Sequence, residues 1–275
     1  MNIQFTKMSG AGNDFVVVDN RSGIIKDPNN FSIKVCERRF GIGADGVLLL
    51  ENSKNADFAM KYYNADGSNA GMCGNGGRCL SKFAYDNGAV KTEVFTFEGF
   101  GHIYTAKRIN PDEYQLKMKN PLNIKNDQKI EISNGSLLAN YINTGTDHCV
   151  LFIEDNPSLK QLTSQVVQEV GREIRYHDAY KPIGTNVNFV ERSGANHIKI
   201  RTYERGVEAE TLACGTGSVA SAILGSERYR ITSPIFVEVL SRETLEVMFT
   251  RNGSEIVDVF LKGSAVKTFS GEIDV

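Results

Sequence analysis

Two short segments join a thiol to a glycine-rich turn, Met72-Cys-Gly-Asn-Gly-Gly-Arg78 and Ala213-Cys-Gly-Thr-Gly-Ser218. Cys73 and Cys214 each stand just before the expected start of a helix, where unpaired backbone N–H groups favour an anion and lower a neighbouring thiol's pKa. Each motif therefore offers a base and an anion cradle together. A lone cysteine beside a turn is more often a small core residue, but two matching copies reverse that preference. Two such helix ends facing each other would hold one carboxylate from both sides, with a sulfur on each face of the adjacent carbon. That arrangement suits removal of a proton from one face and its return to the other, while amides aimed at the carboxylate stabilise the charge that develops.

The remaining reactive side chains point elsewhere. Five cysteines without a C-x-x-C pair argue against a disulfide framework and a zinc site, and four scattered histidines give no metal spacing, so no metal is expected. Cys36 and Cys79 fall inside expected helices and Cys149 at the start of an apolar strand, so all three read as packing. His148 is a candidate base near a thiol. Gly41-Ile-Gly-Ala-Asp-Gly46 matches a dinucleotide-binding pattern, but it follows a helix and precedes a strand, the reverse of what that motif needs.

Strands are expected at Phe15–Asp19, Val47–Glu51, His197–Arg201 and Ile235–Val239, from β-branched runs and alternation. Helices are expected from Pro157 to Arg175 with Asn156 as N-cap, from Phe31 to Phe40, from Gly76 to Asp86 with Gly88 as C-cap, and from Gly217 to Leu224. The last is small or apolar on every side, which fits a helix enclosed by strands. Asn134-Gly and Asn252-Gly read as turns.

A repeat divides the chain. Gly12-Asn-Asp-Phe-Val-Val-Val18 aligns with Gly145-Thr-Asp-His-Cys-Val-Leu151, and Cys73-Gly-Asn-Gly aligns with Cys214-Gly-Thr-Gly; at the offset of the cysteines Tyr62 falls on Tyr203. Two strand-rich halves, each with one buried helix, give an α+β reading, with a hinge near Asn120–Asn126. The domains are expected at residues 1–120 and 121–262.

Length and charge agree with this. A chain of 275 residues is long enough for two domains, and 31 Lys and Arg against 33 Asp and Glu lower nucleic acid as a partner. No stretch reaches the apolar length of a membrane helix and the start lacks the apolar core of a signal peptide, so a cytoplasmic protein acting on a small molecule is expected.

Five motifs in order, Gly10-Ala-Gly-Asn-Asp-Phe15, Asn64-Ala-Asp-Gly-Ser68, Cys73-Gly-Asn-Gly-Gly-Arg-Cys79, Tyr203-Glu-Arg-Gly206 and Ala213-Cys-Gly-Thr-Gly217, resemble the diaminopimelate epimerase family from about Phe5 to Gly271. The resemblance implies a cofactor-independent, two-base isomerase interconverting LL- and meso-2,6-diaminopimelate, on the route to lysine and peptidoglycan. It implies two pseudo-symmetric domains, each wrapped around a central helix, with the active site in the interdomain cleft. That a C-terminal segment, 263–275, joins the first domain is likewise implied by the resemblance and not by spacing. Cys73 and Cys214 match the catalytic pair, and Gly74, Asn75, Gly215 and Thr216 match amides that hold the carboxylate at the reacting centre. Asn13, Asn64, Asn186, Glu204 and Arg205 match residues that bind the rest of the substrate; Glu204 and His148 match residues that adjust the thiols. Many members read Gly-Asn-Pro-His where this chain has Gly145-Thr-Asp-His148, which leaves Thr146 as a candidate contact and adds the charge of Asp147. Many carry Gln where this chain has Gly46, and Phe269 stands where a dimer-contact Tyr often occurs, so a homodimer is a candidate. A related proline or hydroxyproline racemase is the alternative within isomerases; a thiol redox protein and an amino-acid binding protein are alternatives from other classes.

Overall fold

A computed structural model describes residues 2–69 and 71–274, and the chain divides into two compact units. One comprises the residues up to Lys117 with those from Lys262 onward; the other runs from Met118 to Leu261.

The first unit contains β1 (Asn2–Gly10), β2 (Asn13–Asp19), α1 (Pro28–Cys36), β3 (Gly46–Glu51), β4 (Phe58–Asn64), α2 (Gly74–Asp86), β5 (Val94–Gly99), β6 (His102–Asn110) and β7 (Glu113–Lys117). The second contains β8 (Leu122–Ile132), β9 (Gly135–Asn143), β10 (Asp147–Phe152), α3 (Ser164–Arg175), β11 (Asn186–Arg192), β12 (His197–Glu204), β13 (Ala209–Thr211), α4 (Gly215–Tyr229), β14 (Ile235–Glu238) and β15 (Thr244–Asn252). Strand β16 (Glu255–Ser264) carries the chain back to the first unit, where β17 (Val266–Asp274) pairs antiparallel with β1. The fold is α+β: among the described residues the strands are mostly antiparallel, and four pairs, β2/β3, β4/β5, β10/β11 and β12/β14, are parallel. A parallel pair needs a crossover, and each of the four helices lies in one.

The crossovers repeat in the same order in both units. Val16 pairs with Val47 and Val47 with Tyr63; Cys149 pairs with Val187 and Val187 with Tyr203. Strand register therefore matches Tyr203 to Tyr63, not to Tyr62 as the cysteine offset suggested; the extra residue lies between Tyr203 and Cys214. Gly12 and Gly145 both have positive φ, the left-handed conformation that turns β1 into β2 and β9 into β10.

Helices α2 and α4 are the central ones. Their buried stretches run from Gly74 to Ala84 and from Gly215 to Ser226, α2 against β1, β2, β3, β4, β6 and β7, and α4 against β9, β10, β11, β12, β14 and β15. Both start two residues before the expected positions. Gly76 and Gly77 are helical glycines in close contact with their surroundings: a Cβ would stand 3.2 Å from Leu48 and 2.9 Å from the Met72 terminal methyl respectively, so those side chains would have to shift to admit one. Helix α1 begins earlier than expected, capped by Asp27 with Pro28 at its first position, and stops at Cys36; beyond it the Glu37 carboxylate accepts the Arg39 and Phe40 amides and turns the chain.

The helix expected from Pro157 to Arg175 is two pieces, a 3₁₀ turn at Pro157–Leu159 and then α3. Asn156 does not cap it. Its buried amide instead bonds Leu138 and Phe152, while Thr163 caps α3 by accepting from Val166 N. The expected hinge at Asn120–Asn126 runs into β8, an irregular strand with register shifts and positive φ at Asn123 and Asp127. Of the two Asn-Gly pairs, Asn134 falls in the Ser133-Asn134 turn between β8 and β9, and Gly253 in the Gly253-Ser254 turn between β15 and β16.

Candidate active site

In the first unit Cys73 is the N-cap of α2. Its backbone is extended, and its Sγ lies 3.5 Å from the Gly76 amide, which donates to it. The same sulfur donates to Asn13 Oδ1 at 3.7 Å. Asn13 is oriented from its other end, because its Nδ2 donates to Asp45, whose carboxylate also takes Arg38. The adjoining Asp14 carboxyl is opposed by burial but held below its usual range by Arg38 and Lys7. Asn75 is buried and accepts from Arg78 Nη2 at 2.9 Å, and Arg78 Nε donates to the Ser264 carbonyl at 3.1 Å. Asn64, at the end of β4, donates to Ser68 within a turn; Ala65 N bonds the Asp45 carbonyl, linking that turn to the Asn13 side. The structure thus groups Cys73, Gly74, Asn75 and Asn13 around the first turn of α2.

In the second unit Cys214 is the extended N-cap of α4, and Sγ lies 3.6 Å from Thr216 Oγ1. That hydroxyl lies 3.2 Å from Thr146 Oγ1 and 3.0 Å from His148 Nε2. The His148 Nδ1 atom faces the Asn188 side-chain amide at 3.0 Å, whose NH2 also donates to the Cys149 carbonyl and whose oxygen accepts from Thr202. With this amide orientation His148 accepts at Nδ1, so the neutral ring carries its proton on Nε2 and donates it toward the threonine hydroxyls. Thus His148 reaches the sulfur through Thr216. Thr146, a departure from the family pattern, fills the remaining side of that cluster.

His148 is fully buried, and desolvation pushes its pKa down to about 3, with the nearby charges of Asp147 and Arg205 opposing each other. A folded-state value below the unfolded 6.5 means that only the unfolded chain takes up this proton as pH falls between the two. The associated stability is complete above 6.5 and lost on acidification. Unfolding free energy from urea titrations is expected to drop by about 2 kcal/mol from pH 7 to pH 5, and His148→Gln to remove most of that drop. Equal slopes in both proteins would contradict a buried neutral ring.

Glycine at 217 is fixed by space. A Cβ there would stand 2.4 Å from Asn188 Oδ1 and 3.3 Å from Cys214 Sγ. Gly217→Ala is expected to cost about 1–3 kcal/mol by overpacking and to displace the amide that orients His148. Thermal denaturation checks the cost; unchanged stability would show that the Asn188 side chain yields freely.

Arg205, Asn186 and Glu204 form the rest of this half. Arg205 N donates to Asn186 Oδ1 at 2.9 Å, and Asn186 Nδ2 donates to the Asp147 carbonyl at 2.9 Å. Arg205 Nη1 meets Gly184 O at 3.1 Å and Asp147 Oδ2 at 3.4 Å. Glu204 accepts from Thr211 at 2.9 Å. Asp147 lines a cavity of about 510 Å³ together with Tyr141, Tyr180, Gly184 and Lys125. Phe269 lies on β17, 46% exposed and edge-on to Phe5.

Burial pushes the Cys36 thiol up to about 11 and the Cys149 thiol up to about 12, as packing cysteines require. Among the described residues no cluster of three or more His, Cys, Asp or Glu is arranged to hold a metal, and no helix is long and apolar enough to cross a membrane. Asp45 and Asn188 were not singled out from sequence. The signal for Asn188 was its spacing from Asn186, which puts both on one face of β11; for Asp45 there was none beyond its place in the Gly41–Gly46 loop.

The α+β fold described above has solved counterparts. It is similar to a PhzF-family phenazine biosynthesis protein of Bacillus anthracis (TM-score 0.75, 15% identity, 100% of both chains). It is also similar to a probable proline racemase of Agrobacterium radiobacter (TM-score 0.74, 16% identity, 99% of this chain and 93% of that one). At these identities the likeness defines the class of fold. The family model described as diaminopimelate epimerase matches residues 5–111 and 140–268. Diaminopimelate epimerase of Flavobacterium psychrophilum is 40% identical across 97% of this chain and 98% of its own, and that of Chlorobaculum tepidum 41% across 97% and 99%. The chain belongs to the diaminopimelate epimerase family.

Proposed function

We infer that the protein is an isomerase that interconverts LL- and meso-2,6-diaminopimelate by moving the proton of one α-carbon between two thiols, without a cofactor. The observation that carries this is the duplicated helix start, Cys73 before Gly74 and Cys214 before Gly215, within a chain of this family. One sulfur, as thiolate, takes the α-proton; the other, as thiol, delivers its own proton to the opposite face. After turnover the two have exchanged protonation states. Amides of Gly74, Asn75, Gly215 and Thr216, which lack acceptors within their helices, stabilise the charge that spreads into the adjacent carboxylate.

Diaminopimelate has a second amino-acid head, and we assign its recognition to Asn13, Asn64, Asn186, Glu204 and Arg205. Amides, one guanidinium and one carboxylate supply donors and acceptors for both a carboxylate and an ammonium. Thr146 is a further candidate contact. His148 and Glu204 are assigned to the thiols, His148 by orienting the Thr216 hydroxyl beside Cys214. A cytoplasmic site of action accords with five cysteines kept as thiols.

Incubation of the reduced protein with LL-diaminopimelate, free of pyridoxal phosphate, followed by chiral separation tests the reading. Formation of the meso isomer is expected. Failure to form it with folded protein and reduced thiols would overturn the assignment, and racemisation of proline in its place would favour the related racemases.

A further inference from the structure

Arg205 meets its carboxylate through a different part of the guanidinium from four other arginines of the chain. Arg201 meets Glu210, Arg228 meets Asp155, Arg175 meets Glu208 and Arg21 meets Asp19, each through Nε and Nη2, the edge of the guanidinium that matches both oxygens of a carboxylate. Arg205 instead meets its carboxylate, Asp147, through Nη1, and the same Nη1 also donates to the Gly184 carbonyl. Among the described residues no hydrogen bond engages its Nε or Nη2, and the side chain is 23% exposed. The edge that grips a carboxylate is left open.

Asp147 is itself fixed. Its Oδ1 accepts from the Tyr141 hydroxyl and from Asn143 Nδ2, the latter at 2.8 Å, and its carbonyl accepts from Asn186, which in turn holds the Arg205 amide. Burial opposes its ionisation, yet these hydrogen bonds and the Arg205 charge keep the carboxyl below its usual range. The 3.4 Å contact to a single nitrogen orients the guanidinium without occupying its carboxylate-binding edge. A bidentate pair would have closed that edge.

We propose that Asp147 is a positioning residue for substrate specificity: with Gly184 O it holds the Nη1 corner of Arg205, so that Nε and Nη2 present themselves to the carboxylate of the substrate's non-reacting head. This rests on the assignment of Arg205 to substrate recognition made above. Because the reacting carbon lies at the other head, the effect falls on binding rather than on proton transfer.

The test is a double-mutant cycle on LL-diaminopimelate turnover. Asp147→Asn is expected to raise KM about tenfold with kcat changed less than about twofold, and to add nothing further in an Arg205→Leu background. An unchanged KM, or an undiminished extra loss in the Arg205→Leu background, would overturn the proposal. Should Asp147→Asn fail to fold, Tyr141→Phe removes one anchor of the carboxylate at nearly constant volume and is expected to raise KM by about two- to threefold, again only when Arg205 is present. An unchanged KM in that variant counts against the proposal equally. Wild-type protein inactive on diaminopimelate would instead remove the substrate reading, whereas an active wild type with an indifferent Asp147→Asn removes only the positioning role.

Discussion

Cys73→Ala and Cys214→Ala are each expected to lower epimerisation by about 10³-fold or more, since each removes the only group assigned to carry a proton on its face of the α-carbon. The fold should survive both. The stability effects should differ, because Cys73 Sγ accepts from Gly76 N and caps α2, whereas Cys214 has no side-chain cap bond on α4. Cys73→Ala is therefore expected to lose about 0.5–1 kcal/mol more than Cys214→Ala in chemical denaturation. Steady-state rates in both directions, with thiols kept reduced, check the first expectation. Substantial activity in either variant would defeat the two-base assignment, however well the chain matches its family.

Arg205→Leu is expected to lower kcat/KM for LL-diaminopimelate by about 10²-fold or more, equivalent to about 3 kcal/mol, because a charge-assisted bidentate contact is lost and the Asp147 carboxylate is left without its cation. Arg205→Lys should recover little, since an ammonium cannot present two parallel donors while a third group holds its far corner. Kinetics over a range of substrate concentration separate this from a folding defect, which would appear as a smaller active fraction at unchanged KM. Wild-type kinetics in Arg205→Leu would remove the residue from substrate recognition.

Much of this was readable in the residues. The two Cys-Gly-x-Gly motifs placed the starts of α2 and α4 to within two residues, and the small, apolar composition after Cys214 announced a helix with no solvent face. What failed was local signal overridden by tertiary demand. Asn156-Pro157 has the form of a helix start, but the amide of Asn156 is consumed by Leu138 and Phe152, and the helix waits for Thr163. Gly74-Asn75 and Gly215-Thr216 read as turn residues ahead of the helices and are instead the first two positions of α2 and α4. Tyr62 matched Tyr203 in plain counting, and only strand register reveals that Tyr63 is its counterpart.

In the candidate site, the cysteines and the glycine turns stood out in the sequence because the proposed chemistry dictates their type and order. The residues that orient them were not. Asn188 and Asp45 act through hydrogen bonds to His148 and Asn13 across strands and loops far apart in sequence, and no spacing rule encodes such pairs. Asp147 stood out only as an added charge; its tie to Arg205 depends on the β10/β11 register that sets Asn186 beside it.

The central claim is that two thiols serve opposite faces of one carbon. LL-Diaminopimelate turned over in deuterated water and sampled at low conversion tests it most directly, by reading α-deuterium separately in product and in remaining substrate. Two bases predict deuterium at the inverted carbon of the meso product and almost none in unreacted LL isomer, because the proton removed and the deuteron delivered belong to different sulfurs. Equal labelling of both isomers at that stage would mean that a single group removes and returns the proton, and would contradict the account.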